Sequence, residues 1–172
     1  MILVFTGNGK GKTTVALGQA LRSVGNGKKI KMIQFVKGPW KSGEEKSAKK
    51  LAPDFELVKG GIGFVGILGD KHPRSAHEEA ARKTWELCKE AVDSKKYNLV
   101  IMDEINVALD LRLIDAGEVK FFLKSAPKDI DLILTGRGAP EWLIDMADLV
   151  TEMKDVKHPY NDGAGAKKGI EF

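Results

Sequence analysis

The chain is poor in the residues that build stapled or membrane-spanning proteins. One cysteine, Cys88, in 172 residues allows no internal disulfide and suits a reducing cytoplasm. No run of about 18 apolar residues occurs, so no helix is expected to span a membrane. No basic stretch precedes the first apolar residues, so a signal peptide is not expected. The chain also holds only five arginines: Arg22, Arg74, Arg82, Arg112 and Arg137. None forms a loop pair of the kind a small-kinase lid uses. What is present describes an ordinary folded protein, with 42% hydrophobic and 30% charged residues. The length fits one α/β domain over residues 1–172 with a full core. The net charge of +4 comes with lysine-rich stretches (Lys28, Lys29, Lys31; Lys46, Lys49, Lys50). These read as a solvated face that also gives an anionic ligand a positive field; nucleic-acid attraction is the other reading.

The most specific local pattern is ILVFTGNGKGKTTVAL, residues 2–17. An apolar strand runs into a loop holding Gly7, Gly9, Gly11, Lys10 and Lys12, and Thr13-Thr14 opens an amphipathic stretch. Glycines let the backbone curl so that several N–H groups aim at one anion, and Lys12 and the helix dipole add positive charge. Such a loop binds a nucleoside triphosphate, with Mg²⁺ on the Thr13 hydroxyl. The pattern departs from G-x-x-x-x-G-K-[ST] at its first position, which is Thr6.

Apolar runs and helical periodicity predict strands at residues 1–6, 30–36, 55–59, 99–102, 130–134 and 149–152. Helices are predicted at 12–24, 77–94 and 141–146, and another begins at Asp115 as N-cap with Glu118 three residues on. That last helix is expected to bury Val119, Phe122, Leu123 and Ala126 before Pro127 stops it. The first should present Leu17, Ala20, Leu21 and Val24 on one face. Residues 37–52 read as irregular, residues 60–70 as a glycine-rich segment, and residues from Met153 onward hold no long apolar run. Cys88 shares a helical stripe with Ala81, Trp85 and Val92 and reads as core. Apolar strands alternating with helices imply a mainly parallel sheet covered on both faces, with ligands at the strands' carboxyl ends. Gly7–Thr13, Asp103-Glu104 and Thr135–Gly138 then converge on one rim.

On that rim, a carboxylate of Asp103 or Glu104 can hold Mg²⁺ opposite Thr13. Glu104 has the longer reach. Arg137, between two glycines, can make a bidentate contact with phosphate oxygens. Asn106 either contacts the ribose or caps the following helix. No Gln or Glu is placed to orient a hydrolytic water.

Several segments together resemble the P-loop corrinoid adenosyltransferases, the ATP:cob(I)alamin or cob(I)yrinic acid a,c-diamide adenosyltransferase family. They are TGNGKGKTT (6–14), the GF of GGIGFVG (63–64), YNLVIMDEINVAL (97–109), LTGRGAPEWLIDMADLVTEM (134–153), KHPY (157–160) and GIEF (169–172). They run in family order over almost the whole chain. The resemblance implies transfer of the 5′-deoxyadenosyl group of ATP to Co(I) of a reduced corrinoid, releasing triphosphate, in adenosylcobalamin biosynthesis or salvage. Gly7, Asn8, Gly9, Lys10, Gly11, Lys12, Thr13 and Thr14 would bind ATP, and Phe64 the corrinoid. Lys12 and Arg137 would act on the leaving triphosphate, and Thr13, Glu104 and Asp103 on Mg²⁺ (or Mn²⁺). The resemblance also implies a homodimer, an electron donor that reduces Co(II), and neither nucleic acid nor membrane as partner.

The family's glycine-rich segment reads G-x-G-F-T-W. Here Gly61, Gly63 and Phe64 match, while Val65 and Gly66 stand in place of Thr and Trp, and Lys167 replaces a later Gln. With Gly66 the aromatic expected beneath the corrinoid is missing. Phe64 either packs on the corrinoid or anchors its loop to the core. A P-loop kinase or NTPase is the second reading, and a nucleic-acid-stimulated ATPase the third.

Overall fold

The structure, a computed structural model, describes residues 1–67, 69–163 and 165–171. Six strands form one sheet: β1 (Ile2–Thr6), β2 (Ile30–Gln34), β3 (Phe55–Lys59), β4 (Leu99–Asp103), β5 (Asp131–Thr135) and β6 (Leu149–Glu152). Their order is β3-β2-β4-β5-β1-β6. Every pairing is parallel, so the mainly parallel sheet of the sequence reading is wholly parallel among the described residues. Parallel strands require crossovers, and the connecting helices cover both faces.

Side-chain alternation divides the core in two. Phe5, Ile30, Met32, Leu99, Ile101 and Ile133 pack on α1 (Lys12–Val24) and α2 (Gly43–Lys50) through Ala16, Ala20 and Ala48. Val4, Ile33, Val100, Met102, Leu132 and Leu134 meet the other face. That face is covered by α3 (Arg74–Asp93), α4 (Ile105–Asp110), α5 (Ala116–Ser125) and α6 (Glu141–Met146). Trp85 and Cys88 of α3 lie fully inside, as the helical stripe predicts. Burial pushes the Cys88 thiol's pKa well above its usual value. Cys88 is core.

Four expectations change. Residues 37–52 are not wholly irregular, because α2 occupies 43–50. Its sequence GEEKSAKK has no apolar period; a Ser42–Glu45 capping box and one buried alanine, Ala48, hold it. The short helix α4 was not anticipated either, since it begins directly after the β4 tip. Leu21 does not face the core: it is 60% exposed, because its side of α1 borders the cavity described below. In α5, Val119 and Leu123 are buried, but Phe122 and Ala126 only partly. The Asp115 cap holds, accepting the Glu118 N–H at 2.7 Å.

Candidate active site

The loop between β1 and α1 is shaped from both sides. Behind it, the exit of β6 passes so close that a Cβ on Gly7 would overlap the Met153 backbone. The Gly9 N–H donates to Met153 O at 2.7 Å. That amide therefore fixes the loop to the sheet, a different task from the anion contact the sequence suggests. In front, α1 starts at Lys12 with Gly11 at its N-cap, and its first intrahelical bond runs from the Val15 N–H to Gly11 O. The amides of Lys12, Thr13 and Thr14 have no intrahelical acceptor and stand at the positive end of the helix dipole. The Lys12 ammonium is buried and donates to Gly7 O and Gly9 O, each at 2.8 Å. Two of its three N–H bonds thus hold it in the loop, leaving one for a phosphate oxygen. Burial lowers its pKa, opposed by the charges of Glu104 and Asp103. Asn8, Lys10 and Thr14 are exposed, and Lys10 pairs with Glu171 at 3.5 Å.

Asp103 is the polar centre beneath the loop. Gln34, Asp103 and Thr135 end three adjacent strands, and their parity points all three toward α1. Asp103 Oδ1 accepts from Thr13 Oγ1 at 2.8 Å and from Thr135 Oγ1 at 2.7 Å. Its Oδ2 accepts from Gln34 Nε2 at 3.0 Å. The carboxyl is fully buried; burial raises its pKa, and these three hydrogen bonds oppose the rise.

Glu104 follows with φ 62°, a left-handed conformation rare for a non-glycine residue. Its N–H donates to Thr135 Oγ1 at 2.9 Å, which holds the turn in place. Burial, and then the Asp103 charge, raise its pKa to about 7. A Cβ on Gly136, where φ is 127°, would press on Glu104 Oε2, Asn106 and the Val107 N–H. Glycine is what allows the β5 loop to close over the β4 tip. Arg137 is exposed beyond it, and its charge reaches both Lys12 and Glu104. Asn106 is wholly buried and donates to Gly136 O at 3.1 Å, so it ties the two loops together. The ribose reading of Asn106 is not supported.

One cavity of about 1200 Å³ joins Lys10–Thr14, Glu104 and Arg137 to Phe64, Val65 and Ile67. Its charged groups come mainly from the strand tips, and Phe64, Val65 and Ile67 from the loop after β3, with Leu17, Leu21, Leu51 and Phe55 adding further apolar surface. Asp103 lies beneath it, bonded to Thr13. A hydroxyl and two carboxylates form a hard-oxygen donor set that suits Mg²⁺, which takes one or two carboxylates and completes its shell with phosphate and water. Burial first, and then the charge of Asp103, disfavour the ionised form of Glu104, and a divalent cation would oppose both. No group of three or more His, Cys, Asp or Glu side chains arranged for a metal occurs among the described residues, so a cage made wholly of protein is not what this site offers.

The sequence reading missed Gln34, Lys37 and the chain's end. Gln34 and Lys37 follow from β2, a fourth buried parallel strand that ends on the same rim. Lys37 lines the cavity and its charge opposes the raised pKa of both Asp103 and Glu104. Gly169, Ile170 and Glu171 also line the cavity. Phe172 of the GIEF motif lies outside the described residues.

A family model described as ATP:corrinoid adenosyltransferase BtuR/CobO/CobP matches residues 1–172. A corrinoid adenosyltransferase from Sinorhizobium sp is 40% identical over 174 residues, covering 100% of this chain and 80% of that protein. Corrinoid adenosyltransferase CobA from Salmonella typhimurium is 34% identical, covering 100% and 85%. Among solved structures, the KaiC-like protein PH0186 from Pyrococcus horikoshii OT3 superposes with a TM-score of 0.51 at 16% identity, covering 88% of this chain and 71% of that one. That likeness concerns the fold alone. By the match over its full length, the chain belongs to the ATP:corrinoid adenosyltransferase family.

Proposed function

We propose that the cavity at the sheet's rim holds ATP and a reduced corrinoid in line, with the triphosphate on the P-loop and the corrinoid at the apolar end. The activity is that of the family, ATP:corrinoid adenosyltransfer in cobalamin biosynthesis. The kinase or NTPase alternative is not favoured. The observation that carries the two-ended reading is the cavity itself, which runs from Lys12 and Glu104 to Phe64 and Ile67.

The reaction asks little acid–base work of the protein. The Co(I) electron pair forms the bond to C5′, the C5′–O bond breaks, and its electrons leave on triphosphate. No proton moves, so the step needs no general base, and Glu104 is left free to serve the cation. Catalysis is then alignment plus stabilisation of the leaving anion. The amides of the first turn of α1 and the free N–H of Lys12 face the departing oxygens, and Arg137 closes over them. Thr13 and Glu104, with Asp103 behind, would hold Mg²⁺ or Mn²⁺, which supplies positive charge to the triphosphate. Asp103 also orients the Thr13 hydroxyl.

This reading further includes one domain across the chain, a cytoplasmic setting, a homodimer and an external electron donor for Co(II). No helix among the described residues is long and apolar enough to cross a membrane. The test is incubation with ATP, Mg²⁺ and chemically reduced cobalamin. A light-sensitive cobalt–carbon spectrum with stoichiometric triphosphate supports the reading. ADP or orthophosphate without that spectrum returns the chain to a kinase or NTPase.

A further inference from the structure

We propose that Trp40 is the positioning residue of the cavity's apolar end: stacked on Phe64, it fixes that ring as a wall for the corrinoid's flat macrocycle. The inference rests on the reading above and names a residue outside every motif that led to it. Trp40 is 61% exposed and Phe64 43% exposed, yet their ring centroids lie 6.0 Å apart at 30°. Two large aromatics paired between two loops, one after β2 and one after β3, leave apolar surface in water, which marks a surface made to meet a ligand.

Trp40 is seated on purpose-built backbone. A Cβ on Gly38 would overlap the indole ring, and one on Gly63 would stand 3.4 Å from Cη2. The main chain beneath is tied down as well. The Lys59 ammonium donates to Trp40 O and, at 2.7 Å, to Glu45 Oε2. Glu45 in turn accepts the Ser42 N–H at 2.8 Å. One lysine on β3 thereby fixes residues 40–45 to the sheet edge.

Phe64 lines the cavity with Val65 and Ile67, whereas Trp40 stands against Phe64 outside that lining. Its effect on a substrate passes through Phe64. The phosphate end is polar and charged, so a flat apolar wall serves the other substrate. Gly66 has φ 69° and open space around it. A bulky residue there would be strained by its backbone, so position 66 adds no aromatic surface beside Phe64. Trp40 does.

The test measures KM and kcat separately for cobinamide and for ATP in Trp40→Ala, Trp40→Leu and Trp40→Phe, with the Kd for cobinamide by calorimetry. Trp40→Ala should raise the KM and Kd for cobinamide about tenfold, leaving the KM for ATP within about twofold and kcat within about threefold. Trp40→Phe should restore the cobinamide values and Trp40→Leu should not, because only a planar ring stacks on Phe64. Unchanged cobinamide binding in Trp40→Ala, leucine equal to phenylalanine, or KM for both substrates rising together overturns the proposal. If Trp40→Ala fails to fold, the Phe–Leu pair decides. A parent protein that binds no corrinoid overturns the adenosyltransferase reading itself, and this inference falls with it.

Discussion

At the charged end of the cavity the working groups grow out of the sheet's core, whereas at the apolar end they stand on loops that reach the core at few points. Asp103 is fully buried and holds three donors from three elements. Lys12 is buried and bonded twice to its own loop. The apolar end rests instead on Trp40 stacked against Phe64, on the Lys59 link to Glu45, and on Asp70. Asp70 accepts the N–H groups of Gly66 at 2.8 Å and His72 at 2.9 Å, and lies 2.8 Å from His77 Nε2. Those backbone bonds, ahead of the His77 contact, hold the Asp70 pKa down at about 2. A leaving anion needs fixed charge, and fixed charge needs a rigid, partly dry frame. A bulky macrocycle needs apolar area and room to enter, which loops provide.

The sharpest way to break this contrast is at Glu104, where rigidity has the largest energetic consequence. Its pKa, about 7 against an ordinary 4.5, means that the folded state binds a proton more tightly than the unfolded chain does. Stability from this group is therefore complete below the unfolded value and lost as pH rises through the folded one. In nucleotide- and metal-free protein the loss should be on the order of 3 kcal/mol between about pH 4.5 and 7. Glu104→Gln should remove that slope and be the more stable protein at pH 8. Urea denaturation across pH checks this, and parallel curves for parent and variant would show Glu104 to be well solvated. In activity assays the same variant should need more Mg²⁺. An unchanged midpoint would assign the ligand role to Asp103 or to neither.

Lys12→Ala comes next. Losing one charge-assisted contact to the triphosphate should cost about 1.5–3 kcal/mol, or one to two decades in kcat/KM. Circular dichroism should show the fold retained. Parental activity in a folded variant would remove Lys12 from the leaving-group assignment.

Arg137→Ala should have a smaller effect, about tenfold in kcat/KM, because the guanidinium is exposed and screened. Its stability should match that of the parent within about 0.5 kcal/mol. If Arg137→Lys restores full activity, bidentate geometry is not needed and charge alone suffices.

The smallest effect concerns the substrate. On the proposed corrinoid placement, Gly66 offers no bulk to displace a lower ligand of cobalt, so the enzyme should use cobinamide at least as well as cobalamin when Co(II) is reduced on the protein by a mild reductant. A tenfold preference for cobalamin in kcat/KM, about 1.4 kcal/mol, would show that Trp40 and Phe64 together expel the lower base.

The same contrast explains what could be read in advance. By itself the sequence determined the form of the charged end, because its physics is local. Closely spaced glycines, a lysine and a hydroxyl at a helix start bring backbone amides and positive charge together, and Asp103-Glu104 closes a buried apolar run at a strand tip. Strand parity then places Gln34, Asp103 and Thr135 on one face. Only the tertiary structure decided that the Gly9 amide serves Met153, that Asn106 locks two loops rather than meeting a ribose, and that Leu21 faces the cavity. It also decided the apolar end. Trp40 and Phe64 are 24 positions apart, with α2 and β3 between them, and their meeting depends on β2 and β3 lying side by side, a non-local pairing that no short-range period encodes.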